Sequence, residues 1–165
     1  MPDSLRLRPL QPGDETLFAA WAHDPDFRTA NGWSEPTGES HLRHWRELIA
    51  APPADLVRLA VERDGDVVGY VDLHGSGESC RELGVVIGPS SNWGRGLGRR
   101  ALRLALTYAF SVLDLDQVQA RTHETNERAR RLLAGSGFSE TGPQGEEEYA
   151  GEVVDLVGYR LERAS

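Results

Sequence analysis

Gly94, Gly96 and Gly98, three glycines within five residues, join the apolar run Val85-Val86-Ile87 to a long apolar stretch that begins at Leu97. A chain makes such a junction as a tight strand-to-helix turn, because glycine enters left-handed backbone conformations without steric cost. The turn gathers successive N–H groups at a helix N-terminus, where the partial positive charge attracts anions. Arg95 and Arg99 stand beside it and can add charge-assisted contacts to phosphate oxygens. The segment therefore reads either as a pyrophosphate cradle or as a connection whose glycines serve geometry alone, and the spacing by itself does not separate the two.

The rest of the chain supplies the frame for that turn. Ser4 to Pro9 alternates apolar and basic residues as a half-buried strand does. Asp14 is a candidate cap for a helix that places Leu17, Phe18 and Trp21 on one face. Ser40 is a candidate cap for a second helix carrying Leu42, Trp45 and Ile49. Between them, Pro25 to Gly38 reads as a loop. Val57 to Val61 and Val67 to Leu73 flank Asp64-Gly65, whose residue types suit a two-residue hairpin turn, and Arg81 to Ile87 follows as the next strand.

Leu97 to Leu113 is apolar nearly all the way round, which predicts a helix buried against a sheet. Gln117 to Thr122 returns as a strand, and a helix from Asn126 to Ala134 ends at Gly135 and Gly137. Phe138 opens an extended segment, the acidic run Glu146 to Glu148 reads as a solvated loop, and Val153 to Leu161 completes the sheet. The expected class is α+β: a mixed, mostly antiparallel sheet with helices on both faces. No repeat or linker divides the chain, so residues 1–165 read as one domain.

A net charge of −8 argues against a nonspecific nucleic-acid binder, which needs a basic face, and suits a cationic partner. Cys80 is the only cysteine and no stretch approaches the roughly 20 apolar residues of a membrane span, so a soluble cytoplasmic protein is expected. All 18 basic residues are arginine, which excludes any mechanism with a lysine nucleophile. His41 and His44 are three apart, but no neighbouring donor completes a metal set, and no metal is expected. Gly75-Ser76-Gly77 lacks the strand-to-helix context of a serine nucleophile. Gly96 to Ala101 matches G-x-G-x-x-A, yet an antiparallel hairpin precedes it and only one βα repeat follows, which argues against a dinucleotide domain.

Trp93-Gly94-Arg95-Gly96-Leu97-Gly98 resembles the acetyl-CoA pyrophosphate loop of the GNAT N-acetyltransferases. Asn126 to Phe138, with an Asn opening a helix that ends in Gly-Phe, is similar to that family's second signature, and the two stand in the family's order. Trp93 in place of the family's usual first Gln or Arg resembles the branch that acetylates N-terminal alanines of ribosomal proteins. Trp33-Ser34-Glu35-Pro36 resembles part of an acidic loop in the spermidine acetyltransferases, which implies Trp33 and Glu35 as substrate contacts.

The resemblance implies acetyl transfer from acetyl-CoA directly to a primary amine, on a small molecule or a protein N-terminus, with no nucleic-acid or membrane partner. It implies that Val85, Val86 and Ile87 pair with the pantetheine arm in a gap beside their strand. It further implies that Trp93 to Gly98 and Arg99 hold the pyrophosphate and that Asn126 contacts the pantetheine. Glu82 is the first candidate for the base, with His123 the second; Glu82 paired with Arg81 or Arg121 is the structural alternative. The family's acidic tyrosine is replaced by Leu133, leaving Tyr149 or water as the acid, or no strong acid at all since a thiolate is a good leaving group, and Ala129 replaces a serine of the ribosomal-protein branch. The rival class is a noncatalytic acyl-CoA-binding regulatory module. The acceptor and the oligomeric state, a homodimer included, stay open at this level.

Overall fold

In the computed structural model, residues 4–31, 39–149 and 151–164 are described, with the side chains of residues 39–41 left aside. Trp33 and Glu35 lie outside the described residues. The order of elements is β1 (Leu5–Pro9), α1 (Asp14–Trp21), α2 (Pro25–Ala30), α3 (Glu39–Ala50), β2 (Leu56–Arg63), β3 (Asp66–His74), β4 (Cys80–Ile87), α4 (Leu97–Ser111), β5 (Gln117–His123), α5 (Glu127–Gly135), β6 (Ser139–Tyr149) and β7 (Glu152–Glu162). The strands form one seven-stranded sheet in the order β1-β2-β3-β4-β5-β7-β6.

The β2–β3 hairpin closes as the residue types demand. Asp64 at φ 50° and Gly65 at φ 93° form its two-residue turn, with Arg63 opposite Asp66. β3 is buried on both faces: Tyr70 joins an aromatic core with Phe18, Trp21, Phe27 and Trp45, whereas Val71 and Leu73 join the aliphatic core under α4 and α5. Adjacent strand residues point to opposite faces, so the two cores lie on opposite sides of the sheet and helices cover both.

The β4–β5 junction is what opens a site. β4 pairs with β3 from Glu82, opposite His74, to Ile87, opposite Gly69. With β5 it pairs in parallel only at Cys80, Arg81 and Glu82, against Gln117, Val118 and Gln119. Beyond that point β5 continues beside β7 as far as His123, while among the described residues β4 has no strand on its other side. A wedge-shaped gap therefore opens between Leu83–Ile87 and the end of β5.

Several local expectations are corrected. Pro25 to Gly38 is not loop throughout, since Asp24 accepts hydrogen bonds from the Asp26 and Phe27 amides and caps the short α2, whose Phe27 is fully buried. Gly13, not Asp14, caps α1; the Asp14 carboxylate is buried and forms a two-pronged pair with Arg8 at 2.9 Å. Ser40 falls inside α3. Leu17 faces solvent. α4 is not buried all round: Leu97, Ala101, Leu102, Ala105 and Ala109 form the buried stripe, and Arg99, Arg103 and Thr107 are exposed. The run Glu146 to Glu148 belongs to β6, paired with Asp155, Val154 and Val153, although its side chains are exposed as expected of such a run.

Candidate active site

The glycine turn projects from the end of β4 and is braced from beneath. The Trp93 indole Nε1–H donates to the Ile87 carbonyl at 2.8 Å, and the Asn92 amide donates to the Gly88 carbonyl at 3.1 Å. Gly88 sits against the aromatic core, where a Cβ would come within 2.7 Å of Trp21 and 2.8 Å of Phe27. The Ser90 amide donates to Asp24 Oδ2 at 2.7 Å, so the residue that caps α2 also ties the loop down, and the Ser90 hydrogen bonds hold the Asp24 carboxyl below the usual carboxylate range.

Gly94 and Gly96 hold φ of 77° and 76°, and a Cβ on either would meet no atom within 4 Å, so both backbones border open space. Gly96 occupies the N-cap of α4 with no side chain accepting from the first turn. Arg95, Arg99 and Arg100 lie at this end of the helix and its first turn contains no acidic residue, which opposes the ordinary preference for negative residues near an N-terminus. A bound anion would reverse that penalty.

A cleft of about 550 Å³ runs from the turn into the β4–β5 gap. Val85, Val86 and Ile87 line one wall, with Trp93, Gly94, Gly96, Gly98 and Arg99 at its mouth. Asn126 lines the opposite wall, its Oδ1 accepting from the Ala129 amide as the cap of α5. Of the residues singled out from sequence, Arg95 alone in the loop does not line the cleft and is exposed. Missed there were Asn31 and Asn92, and Arg128, Arg131 and Leu132 on α5. Arg131 and Leu132 stand three and four residues beyond Arg128, on one face of the helix.

A second cavity of about 210 Å³ is lined by Glu82, Arg121, His123 and Glu147 and shares Ala30 and Asn126 with the first. Glu82 faces this cavity paired with Arg121, whose Nε donates to Oε1 at 2.9 Å; that bond holds the Arg121 guanidinium above its ordinary value. His123 Nε2 is hydrogen-bonded to Glu147 Oε1, and the Tyr149 ring meets the imidazole edge to face with centroids 4.6 Å apart. Leu133, where the resemblance would put a tyrosine, is 7% exposed and packs in the aliphatic core, with Leu132 beside it facing the cleft.

The splayed sheet and the glycine-rich helix N-terminus together leave one continuous open cleft. The acetyltransferase (GNAT) domain profile matches residues 4–139. The putative ribosomal N-acetyltransferase YdaF of Bacillus subtilis (strain 168) is 34% identical over 128 residues, 74% of this chain and 67% of that protein. Spermidine N(1)-acetyltransferase of Escherichia coli (strain K12) is 36% identical over 87 residues, 52% of this chain; the matched stretch spans 46% of that relative, about half its length. Among solved structures, a spermidine N-acetyltransferase from Vibrio cholerae in complex with CoA and spermine superposes with a TM-score of 0.82 at 23% identity, over 96% of this chain and 95% of that one. The chain belongs to the GNAT acetyltransferase family.

Proposed function

We propose that this protein transfers the acetyl group of acetyl-CoA to a cationic primary amine by direct attack. The observation that carries the reading is the β4–β5 gap opening onto the glycine turn. Its residues fit the donor. Open backbone at Gly94 and Gly96 leaves room for a pyrophosphate, and the uncapped first turn of α4 together with Arg99 supplies its donors. The unpaired side of Leu83–Ile87 offers backbone groups to the amides of a pantetheine arm. Asn126 meets that arm from α5. The Val86 amide is our candidate donor for the oxyanion that develops on the thioester carbonyl; preorganised donors of this kind are often the largest single contribution to acyl transfer.

The acceptor end is acidic. Glu82 and Glu147 line the smaller cavity, and the chain carries a net charge of −8. An ammonium is the charge complement, and both a polyamine and a peptide N-terminus present one. Trp33 and Glu35 remain proposed acceptor contacts from the sequence pattern alone.

Thiol release from acetyl-CoA, measured with spermidine, a short peptide with a free N-terminus, an amino acid and an aminoglycoside, tests the assignment. Release dependent on an amine is expected. Tight acetyl-CoA binding without turnover on all four would favour the noncatalytic acyl-CoA-binding module.

A further inference from the structure

We propose that His123, oriented by Glu147, is the base that takes the proton from the acceptor ammonium, and that Glu82 acts to hold Arg121. The inference rests on the acetyl-transfer reading and assigns its proton. A carboxylate can only accept a hydrogen bond, so the contact between His123 Nε2 and Glu147 Oε1 requires the hydrogen to sit on Nε2 in the neutral ring. Nδ1 then keeps its lone pair. Tyr149 packs edge to face on the ring, and His123 is pinned in the sheet opposite Leu156. The imidazole is therefore held by a carboxylate, an aromatic ring and the backbone, in a cavity that joins the donor cleft at Ala30 and Asn126.

Glu82 is less suited to the task, because its Oε1 is committed to the Arg121 guanidinium at 2.9 Å. The charged and titratable groups around His123 come from every neighbouring strand: Glu82 from β4, Arg121 from its own strand, Glu147 and Tyr149 from β6; β7 presents apolar Leu156. Two carboxylates against one guanidinium leave an excess of negative charge, which draws the ammonium in. An imidazole ordinarily titrates near 6.5, close to neutral operating conditions, whereas a carboxylate does so near 4.

In the step itself, Nδ1 accepts one proton of the ammonium, and the freed nitrogen lone pair forms the C–N bond to the thioester carbonyl carbon. The C–S bond breaks with its electron pair on sulfur. Of the ammonium's three protons, one stays on the amide, one ends on the departing thiol and one leaves through Nδ1 to solvent.

The test compares wild type with His123→Ala, Glu147→Gln and Glu82→Gln, following kcat/KM for spermidine and for a free-N-terminal peptide between acidic and alkaline pH, with acetyl-CoA affinity by calorimetry as the control for folding. His123→Ala is expected to lose about 10²–10³-fold at neutral pH with unchanged acetyl-CoA affinity. Its residual rate should climb steadily with pH as free amine accumulates, where wild type levels off, and added imidazole should restore part of the loss. Glu147→Gln should change the pH profile and lower kcat/KM by about tenfold, because the imidazole loses the acceptor that orients it; it carries the test if His123→Ala fails to fold. Glu82→Gln should keep the acidic limb of that profile. An unchanged profile in both His123→Ala and Glu147→Gln, or loss of the limb in Glu82→Gln alone, overturns the dyad. If wild type acetylates none of the four amine classes, the acetyltransferase reading falls and takes the dyad with it, whereas turnover that survives His123→Ala intact removes only the dyad.

Discussion

Gly96 shows how much rests on a missing side chain. Its φ of 76° is a left-handed conformation that a β-branched residue resists, yet nothing stands within 4 Å of where a Cβ would go. Gly96→Val therefore strains the turn without clashing with the core. Acetyl-CoA affinity should fall by about tenfold or more, since each 1.4 kcal/mol of lost contact is a factor of ten, while urea unfolding shows a cooperative fold. Calorimetry with full-strength binding by a folded variant would remove the phosphate-cradle role. Leu133 shows the converse, a residue whose surroundings change its meaning. Its motif position suggests a catalytic slot, but at 7% exposure in the aliphatic core it is first a packing residue.

At the scale of elements, the decisive unit is β4, which pairs with β3 over Glu82–Ile87 and with β5 only over Cys80–Glu82. The amides of Leu83–Ile87 that face away from β3 are available to a ligand and not locked in a ladder. Hydrogen exchange should therefore be faster there than in β2 and β3, and should slow on adding CoA, while the β2–β3 hairpin stays unchanged. Equal protection with and without CoA would argue that the gap does not hold the pantetheine arm. α2 matters at the same scale. Six residues make a weak helix, but Asp24 caps it, supports the glycine turn through Ser90 and sets Phe27 against Gly88, so a minor element braces the cleft.

At the scale of the molecule, β1, β2 and α1 are stitched by Arg8, which donates to Asp14 and Glu62, with Arg6 also on Glu62. Burial pushes the Asp14 carboxyl up, but the Arg8 hydrogen bonds and the Gln11 amide outweigh it and the net shift is downward; Arg8 and Arg6 likewise hold Glu62 low. Carboxyls lowered in the folded state stabilise it fully above their unfolded values, near 4, and lose that contribution as pH falls through the folded values. Unfolding free energy should thus drop below about pH 4. Asp14→Asn, which leaves Arg8 short of its buried partner, should cost on the order of 3 kcal/mol at neutral pH and lose less on acidification. Urea titrations at neutral and acidic pH check it; parallel pH slopes for the two proteins would contradict the assignment.

What the sequence determined by itself was whatever depends on near neighbours. The Asp64-Gly65 turn, the strand-to-helix turn at Gly94 to Gly98 and the Asn126 cap of α5 each follow from backbone preferences over a few residues, and the order of elements implied the fold class. What only the tertiary structure decided was whatever depends on partners distant in the chain. Asp14 reads as a helix cap until Arg8 claims it. Glu82 reads as a free carboxylate or one paired with either of two arginines until the β4–β5 register sets Arg121 beside it. His123 reads as a lone strand-end residue until β6 folds back and brings Glu147 and Tyr149 to its ring. Local pattern carries the conformational preference of a segment, but a side chain's chemistry is set by its electrostatic neighbours, and the sheet supplies those from residues 24 to 39 positions away.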